Sequence, residues 1–397
     1  MRQTYRGVAG DRVTLAVLFG VFGALQGSWA ARIPWVADAL HLSPGALGLA
    51  LLGPAVGGVL AMPLAPVLLG RYGTTQVAGG SVAALGLLLA VVALAPNPPA
   101  LLVVLTLFGL AGGVLDVTAN AHGVAVEEAR GRPVMSGLHG AWSIGTLGGA
   151  AVGGTAAHLG VGAPVHLAVV GAAGALAGPV VTRRLHAAPV HPGGPAFALP
   201  SSATLLLGVI GFGALFAEAA VADWSTVFLA RSRAADPGVA AAGYAAFCLC
   251  MAAGRFAGDA VVHRLGTRPV MVAGAALTAA GIGLAVALPG AAGGITGFAV
   301  TGIGAACVVP LVFSSAGVAE PDPARRPHAL AAVATTSYLG WLAAPPAVGA
   351  VAELTSVGGG LTLAAAFAAT VAVLAAVSPA TARFGSGEAA GRATLNP

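Results

Sequence analysis

Arg71-Tyr72-Gly73-Thr74 and Arg264-Leu265-Gly266-Thr267 are one short loop written twice, 193 positions apart. Each copy separates two apolar stretches of membrane-spanning length, which need roughly 20 residues apiece. Working outward, Pro44-Gly45-Ala46 matches Pro237-Gly238-Val239 and Pro96 matches Pro289 at the same offset of 193. Arg132-Pro133 matches Arg326-Pro327 at 194, and Gly145 matches Gly340 at 195. Matches in this order at a nearly fixed offset indicate a duplicated unit. The apolar stretches fall at 13–37, 45–69, 75–95, 99–126, 133–158 and 162–182, then at 203–230, 238–263, 268–288, 292–318, 327–353 and 357–380. The expected fold is an all-α membrane protein with twelve transmembrane helices in two pseudo-symmetric six-helix bundles. Residues 1–182 form the first bundle, the Pro-, Gly- and His-rich segment 183–202 a cytoplasmic linker, and 203–397 the second bundle. Parallel repeats of this kind place a binding site between the halves near the bilayer midplane, with rocking as the transport motion.

Charge supports the membrane assignment. Charged residues make up 8% of the chain and hydrophobic residues 57%, where soluble domains carry about 25% charge. The chain has no lysine, and its 18 basic residues are all arginine. With the chain start inside the cell, Arg2, Arg6, Arg12, Arg71, Arg130, Arg132, Arg183, Arg184, Arg264, Arg268, Arg325, Arg326, Arg383 and Arg392 fall on the inner side. Arg32, Arg231 and Arg233 fall outside, and Arg255 lies within a span. That positive-inside bias predicts a multi-pass protein of the cytoplasmic (inner) membrane with both termini cytoplasmic. The pI near 9.7 does not point to nucleic acid, because the arginines are scattered over separate loops and suit anionic headgroups instead. The stretch from Val13 to Val36 is longer than a signal-peptide core and reads as a retained span. Cys248, Cys250 and Cys307 all lie in apolar stretches and read as packing residues. No metal cluster, phosphate-cradling loop or nucleophile–base motif appears, so neither an enzyme nor a cofactor is expected.

Sixty glycines recur at small-x-x-x-small spacing: Gly53/Gly57, Gly109/Gly113, Gly145/Gly149/Gly153 and Gly254/Gly258. Small residues let helix backbones approach closely in lipid, where no hydrophobic drive brings helices together.

Two six-helix repeats, a long central loop, and Arg-x-Gly turns after the second and eighth stretches resemble the major facilitator superfamily. The resemblance implies gating loops at Arg71 and Gly73 in the first half and at Arg264 and Gly266 in the second. Arg255 and Asp259, four apart on one helix face, then belong to a cytoplasmic latch or form a simple ion pair at a helix end. In the first half Gly70 stands where the family's loop carries an acid. Leu115-Asp116-Val117-Thr118-Ala119-Asn120 resembles the fourth helix of fucose-permease-like sugar symporters. The runs SWAARIPWV, LDVTANAHGVAVE, PVMSGLHGAWSIG and ADWS resemble the bacterial YbjJ-like inner-membrane carriers. The first stretch, Gln26-Gly27-Ser28-Trp29-Ala30-Ala31-Arg32, departs from the sugar symporters, with an arginine and no acid. Gly53-Pro54-Ala55-Val56-Gly57-Gly58 resembles an antiporter motif of the fifth helix but stands in the second.

Ionisable residues within spans are costly and mark function. Asp116 lies three residues past the centre of the fourth stretch, roughly 4–5 Å toward the inner side at 1.5 Å per residue. Asn120, one turn on, shares its face, and the pair reads as a proton- or hydroxyl-binding carboxylate with its amide partner. Glu218, central in the seventh stretch, is the second protonation candidate. Asp223 reads as an interfacial cap or the partner of Arg32; Arg32 itself could bind an anion, but pairing with an acid is the preferred reading. His139 and Trp142, at the depth of Asn120, suit a substrate or relay role, with Tyr338 and Trp341 as counterparts in the eleventh stretch, or they fill the core. His122 points off the Asp116 face and reads as structural. The expected function is a secondary transporter, a monomer moving a small polar, sugar-like solute by alternating access in symport with protons. The alternative is a proton-coupled exporter of an amphipathic compound.

Overall fold

A computed structural model describes residues 10–131, 134–188, 197–320, 322 and 325–378. Arg2, Arg6, Arg132, Pro133, Arg383 and Arg392 lie outside these residues, as does much of the linker, and so does the side chain of Asp259.

The described residues form helices and no strands. Twelve are labelled here: α1 (Arg12–Ala30), α2 (Pro44–Tyr72), α3 (Thr74–Val92), α4 (Pro98–Arg130), α5 (Met135–His158), α6 (Ala163–Thr182), α7 (Ser202–Val227), α8 (Pro237–Leu265), α9 (Thr267–Ala287), α10 (Gly290–Ala305), α11 (Arg326–Leu354) and α12 (Val357–Val377). Local sequence sets their ends. Ser43, Asn97 and Ser356 accept backbone N–H bonds at the starts of α2, α4 and α12, satisfying donors a helix leaves open. Gly73 (φ +80°) and Gly266 (φ +84°) close α2 and α8, which is why the repeated Arg-x-Gly loop needs glycine at its third position. His41 and Ala234, also 193 apart, take positive φ too, so the backbone repeats where the side chains have diverged.

Two spans are interrupted. The first breaks at Ala31–Arg32 and resumes as Ile33–Ala39, with a proline in its first turn. The tenth breaks at Ala306–Cys307 and resumes as Val308–Ala319. Pro310 has no N–H to offer the carbonyl four residues back, and that carbonyl is Ala306. Among the described residues, ten helical segments are long and apolar enough to cross a membrane. α5 and α11 are not among them, because glycine, hydroxyl residues and histidine dilute their apolar content. Both pack across the boundary between the halves, α5 on α8 and α11 on α2.

The contact pattern repeats under a shift of six helices. α1 packs on α5 as α7 packs on α11; α2 on α4 as α8 on α10; α3 on α6 as α9 on α12. The halves meet along α5–α8 and α2–α11. Exposed Val103, Val169, Leu176 and Val373 form part of an apolar coat, while Leu25, Phe216, Trp224 and Phe298 are buried between helices. A Cβ on Gly57 would strike the Thr106 carbonyl, one on Gly109 the Pro54 carbonyl, and one on Gly145 the Gly20 carbonyl. The spaced glycines are therefore sites where backbones touch.

This contact separates two neighbouring glycines. A Cβ on Gly58 has open space around it. Gly57→Ala should destabilise the bundle by roughly 1–3 kcal/mol, as overpacking does, while Gly58→Ala should be neutral or slightly stabilising. Melting of both variants in one detergent checks this; equal melting would refute the close crossing of α2 and α4.

Candidate functional site

In the first bundle a hydrogen-bonded series runs from α4 to α5. Asn120 Nδ2 donates to Asp116 Oδ1 at 3.0 Å and to the Asp116 carbonyl at 2.9 Å. Asn120 Oδ1 lies 3.2 Å from His139 Nε2, and the amide carbonyl requires that nitrogen to be the donor. The Phe19 ring meets His139 edge-on at 5.4 Å, fixing the imidazole from α1. One turn along α5, Trp142 Nε1 donates to Gln26 Oε1 at 2.9 Å. With its oxygen engaged, Gln26 keeps its amide N–H groups for another partner. One oxygen of Asp116 is held by Asn120; the carboxylate retains further acceptor capacity.

The second bundle contributes an ion pair. Arg255 of α8 lies 3.7 Å from Glu218 of α7, and its Nε donates to the Ala306 carbonyl at 3.4 Å. That is the carbonyl Pro310 leaves open, so the interruption of the tenth span creates the acceptor that orients Arg255. Tyr244, hydrogen-bonded to Cys248, stands within electrostatic range of Glu218 and Asp223. Tyr338 lies within range of both Asp116 and Glu218, and Arg255 within range of His139. The groups from the two bundles thus converge, and Asp116, Asn120, His139, Trp142, Gln26, Glu218, Arg255 and Trp341 are half-buried rather than sealed in the core. Among the described residues no group of three or more His, Cys, Asp or Glu is arranged for a metal.

Several sequence expectations need correction. Arg32 does not pair with Asp223. It is 3% exposed, its Nε donates to His166 Nδ1 at 3.2 Å and its Nη2 to the Val161 carbonyl at 2.9 Å. It ties α1 to α6 and the α5–α6 loop, because the break after Ala30 turns it toward those elements. Arg255 is engaged by Glu218 and Ala306, so it belongs with the central groups; the Asp259 side chain lies outside the description. His122 is buried as expected, but against Asp11, at 3.1 Å. Arg71 and Arg264 are exposed at the loop ends, with the Arg71 guanidinium 5.3 Å over the Tyr72 ring. Sequence reasoning missed Tyr244 and Cys248 at the site. Their spacing of four is the available signal, but neither residue is charged, so the apolar stretch carries no mark of them.

One end of the molecule is fastened across the halves. Asp38 and Arg231, 193 apart in sequence, form an ion pair at 2.7 Å. Contact between equivalent positions places the pseudo-twofold axis at this pair. His158 at the end of α5 lies 3.3 Å from Asp236, the cap of α8. Glu353 near the end of α11 accepts from the Gly45 N–H at the start of α2 at 2.8 Å. The Gly238 N–H, then His158, hold the Asp236 carboxyl below the usual carboxylate range. Glycines repeat the symmetry: a Cβ on Gly349 would meet the backbone of Gly48, and one on Gly154 the side chain of Ala241. These fastenings lie at the end opposite Arg71, Arg130, Arg264 and Arg268.

No family model matches the chain. It is similar to an uncharacterized MFS-type transporter of Yersinia pestis, with 34% identity over 349 residues, covering 87% of this chain and 90% of the relative. It is similar as well to the membrane protein MosC of Rhizobium meliloti, with 33% identity covering 88% of this chain and 86% of that one. In structure it resembles a bacterial homolog of the human lysosomal transporter Spinster in an inward-facing, occupied conformation, with a TM-score of 0.76 at 14% identity, covering 92% of this chain and 95% of that chain. The nucleoside transporter NupG superposes with a TM-score of 0.70 at 16% identity, covering 92% and 97%. The repeated six-helix bundle, its polar centre and relatives spanning nearly its whole length agree: the chain belongs to the major facilitator superfamily of membrane transporters.

Proposed function

We propose that the protein is a secondary active transporter moving a small polar, sugar-like solute across the cytoplasmic membrane, by alternating access and in symport with protons. The observation that carries this reading is the Asp116–Asn120–His139 series on one bundle, facing Glu218 and Arg255 on the other. Asp116 and Glu218 are the proton-carrying groups. Gln26, Asn120 and His139 offer donors and acceptors to hydroxyls, and Trp142, Tyr338 and Trp341 offer aromatic faces to a sugar ring. Residues 1–182 and 203–397 move as two bodies about the linker, and one chain suffices as a monomer. The arginine distribution supports an orientation with the Arg71/Arg264 end and both termini in the cytoplasm. The fastened end then faces outward, and the conformation is inward-facing.

The first test is solute-triggered pH change with purified protein in liposomes, across monosaccharides, polyols, nucleosides and small acids. Internal acidification on adding one external solute, lost in Asp116→Asn, is the expected outcome. Asp116→Asn should retain solute exchange without a gradient if the carboxylate couples and does not bind. Absence of any proton movement, with uphill movement of a lipophilic dye, would overturn symport and favour the exporter.

A second test addresses the fastened end. An exposed ion pair contributes about 0.2–1 kcal/mol, so Asp38→Ala should shift the population toward the outward-open form by roughly 1.5- to 5-fold. Distances between spin labels at the outer ends of α1 and α7 report the shift; an unchanged distribution in Asp38→Ala combined with Glu353→Ala would show that glycine packing alone closes this end.

A further inference from the structure

A second group of titratable side chains lies away from the central site, at the arginine-rich end. Asp11, at the start of α1, is 3% exposed. Its Oδ2 accepts from His122 Nε2 of α4 at 3.1 Å and from the backbone N–H of His186 at 2.8 Å. Its Oδ1 accepts from His186 Nδ1 at 2.9 Å. The carboxylate therefore fixes the proton of His122 on Nε2 and that of His186 on Nδ1. Burial differs sharply between the two histidines: His122 is 2% exposed, whereas the His186 side chain is 57% exposed. His186 follows α6, where the chain leaves the first bundle for the second. Leu185 and Ala188 beside it are buried, and the Ala188 N–H donates to Thr74 Oγ1 at 3.1 Å. Thr74 closes the repeated Arg-x-Gly-Thr loop. Farther on, the Ala198 N–H donates to Thr335 Oγ1 of α11 at 3.3 Å. The connection between the bundles is thus tied down at both described ends, and only the first tie holds ionisable groups.

We propose that Asp11, His122 and His186 form a proton-responsive clasp, by which the cytoplasmic solution sets how firmly the linker is held on the first bundle and how α4, the helix of Asp116 and Asn120, is seated. That this end faces the cytoplasm rests on the orientation proposed above; the clasp itself does not. Charged groups facing His122 are Asp11 from α1 and His186 from the linker. α3 contributes the neutral Thr74 hydroxyl, and Glu127 of α4 is turned away, accepting from the N–H groups of Val134 and Met135. Arg12, Arg183 and Arg184 flank the cluster in sequence. A neutral His186 gives Asp11 an ordinary hydrogen bond; a protonated one gives a charge-assisted bond, which is about twice as strong. Histidine changes charge between about pH 5 and 8. Protonation of His186 therefore tightens the clasp, and loss of that proton loosens it.

Hydrogen exchange on the full chain in nanodiscs, at pH 6 and pH 8 and corrected for intrinsic rates, tests the proposal without any solute. In the wild type, protection of residues 183–188 should fall about tenfold from pH 6 to pH 8, and protection of the inner part of α4 around His122 should fall with it. His186→Gln keeps a neutral donor on an exposed side chain, so it should fold and lose the pH dependence in both segments. Asp11→Asn should exchange fast at both pH values. Equal protection at the two pH values in the wild type, or an unchanged shift in His186→Gln, would overturn the clasp. A shift in the linker without one in α4 would overturn the link to the transport helix. Liposomes showing no transport would sink the transporter reading while leaving these results standing.

Discussion

Backbone-to-backbone contact between helices is the constraint on which this structure depends. In lipid, apolar side chains gain nothing by leaving the surroundings for one another, so helices hold together by close packing and by polar bonds. Glycine makes the closest packing available. It brings α2 to within carbonyl contact of α4, α1 of α5, and α7 of α11. Such crossings bring backbones into direct contact, with few side chains between them. Where the two bundles meet at the fastened end, the same device recurs at Gly48 with Gly349 and at Gly154 with Ala241. Ion pairs and helix-end bonds add only modest energy there, since exposed pairs are weak. Glycine sets the closest approach of the bundles at this end, and the charged residues add bonds around it.

Duplication explains the scaffold and stops short of the chemistry. Turns, caps and crossings repeat at offsets of 193 to 195. The central polar groups do not: at an offset of 193, Asp116 corresponds to Val309, Asn120 to Phe313, and Glu218 to Leu25. The tenth span is broken where its counterpart α4 is continuous. One proline, Pro310, turns a repeat of α4 into a segment with an open carbonyl, and Arg255 uses it. The two halves thus bring different functional groups to a common centre: a carboxylate–amide–imidazole series on one side and a guanidinium–carboxylate pair on the other.

Those facts define what could be read from the residues alone. Span count, repeat offset and the Arg-x-Gly turns were legible because they depend on local composition and on backbone conformations only glycine adopts readily. Asp116 and Asn120 were legible as a pair because a spacing of four fixes their relation on one helix. Partners across helices were not. Arg32 lies near Asp223 in a schematic of depths, yet the break after Ala30 sends it to His166. Arg255 suits Asp259 by spacing, yet its chemistry is decided by a carbonyl 51 residues away. Asp11 and His122 carry no mutual signal, being 111 residues apart.

Several buried charges among the described residues are tied to an element other than their own helix. Arg32 reaches α6, Arg255 reaches α7 and the break in the tenth span, Asp11 reaches α4 and the linker, and Asn120 hands the Asp116 carboxylate on to α5. A purely structural charge would be cheaper as an apolar side chain. Ties that cross between elements make the relative placement of those elements depend on the bonds each charged group keeps.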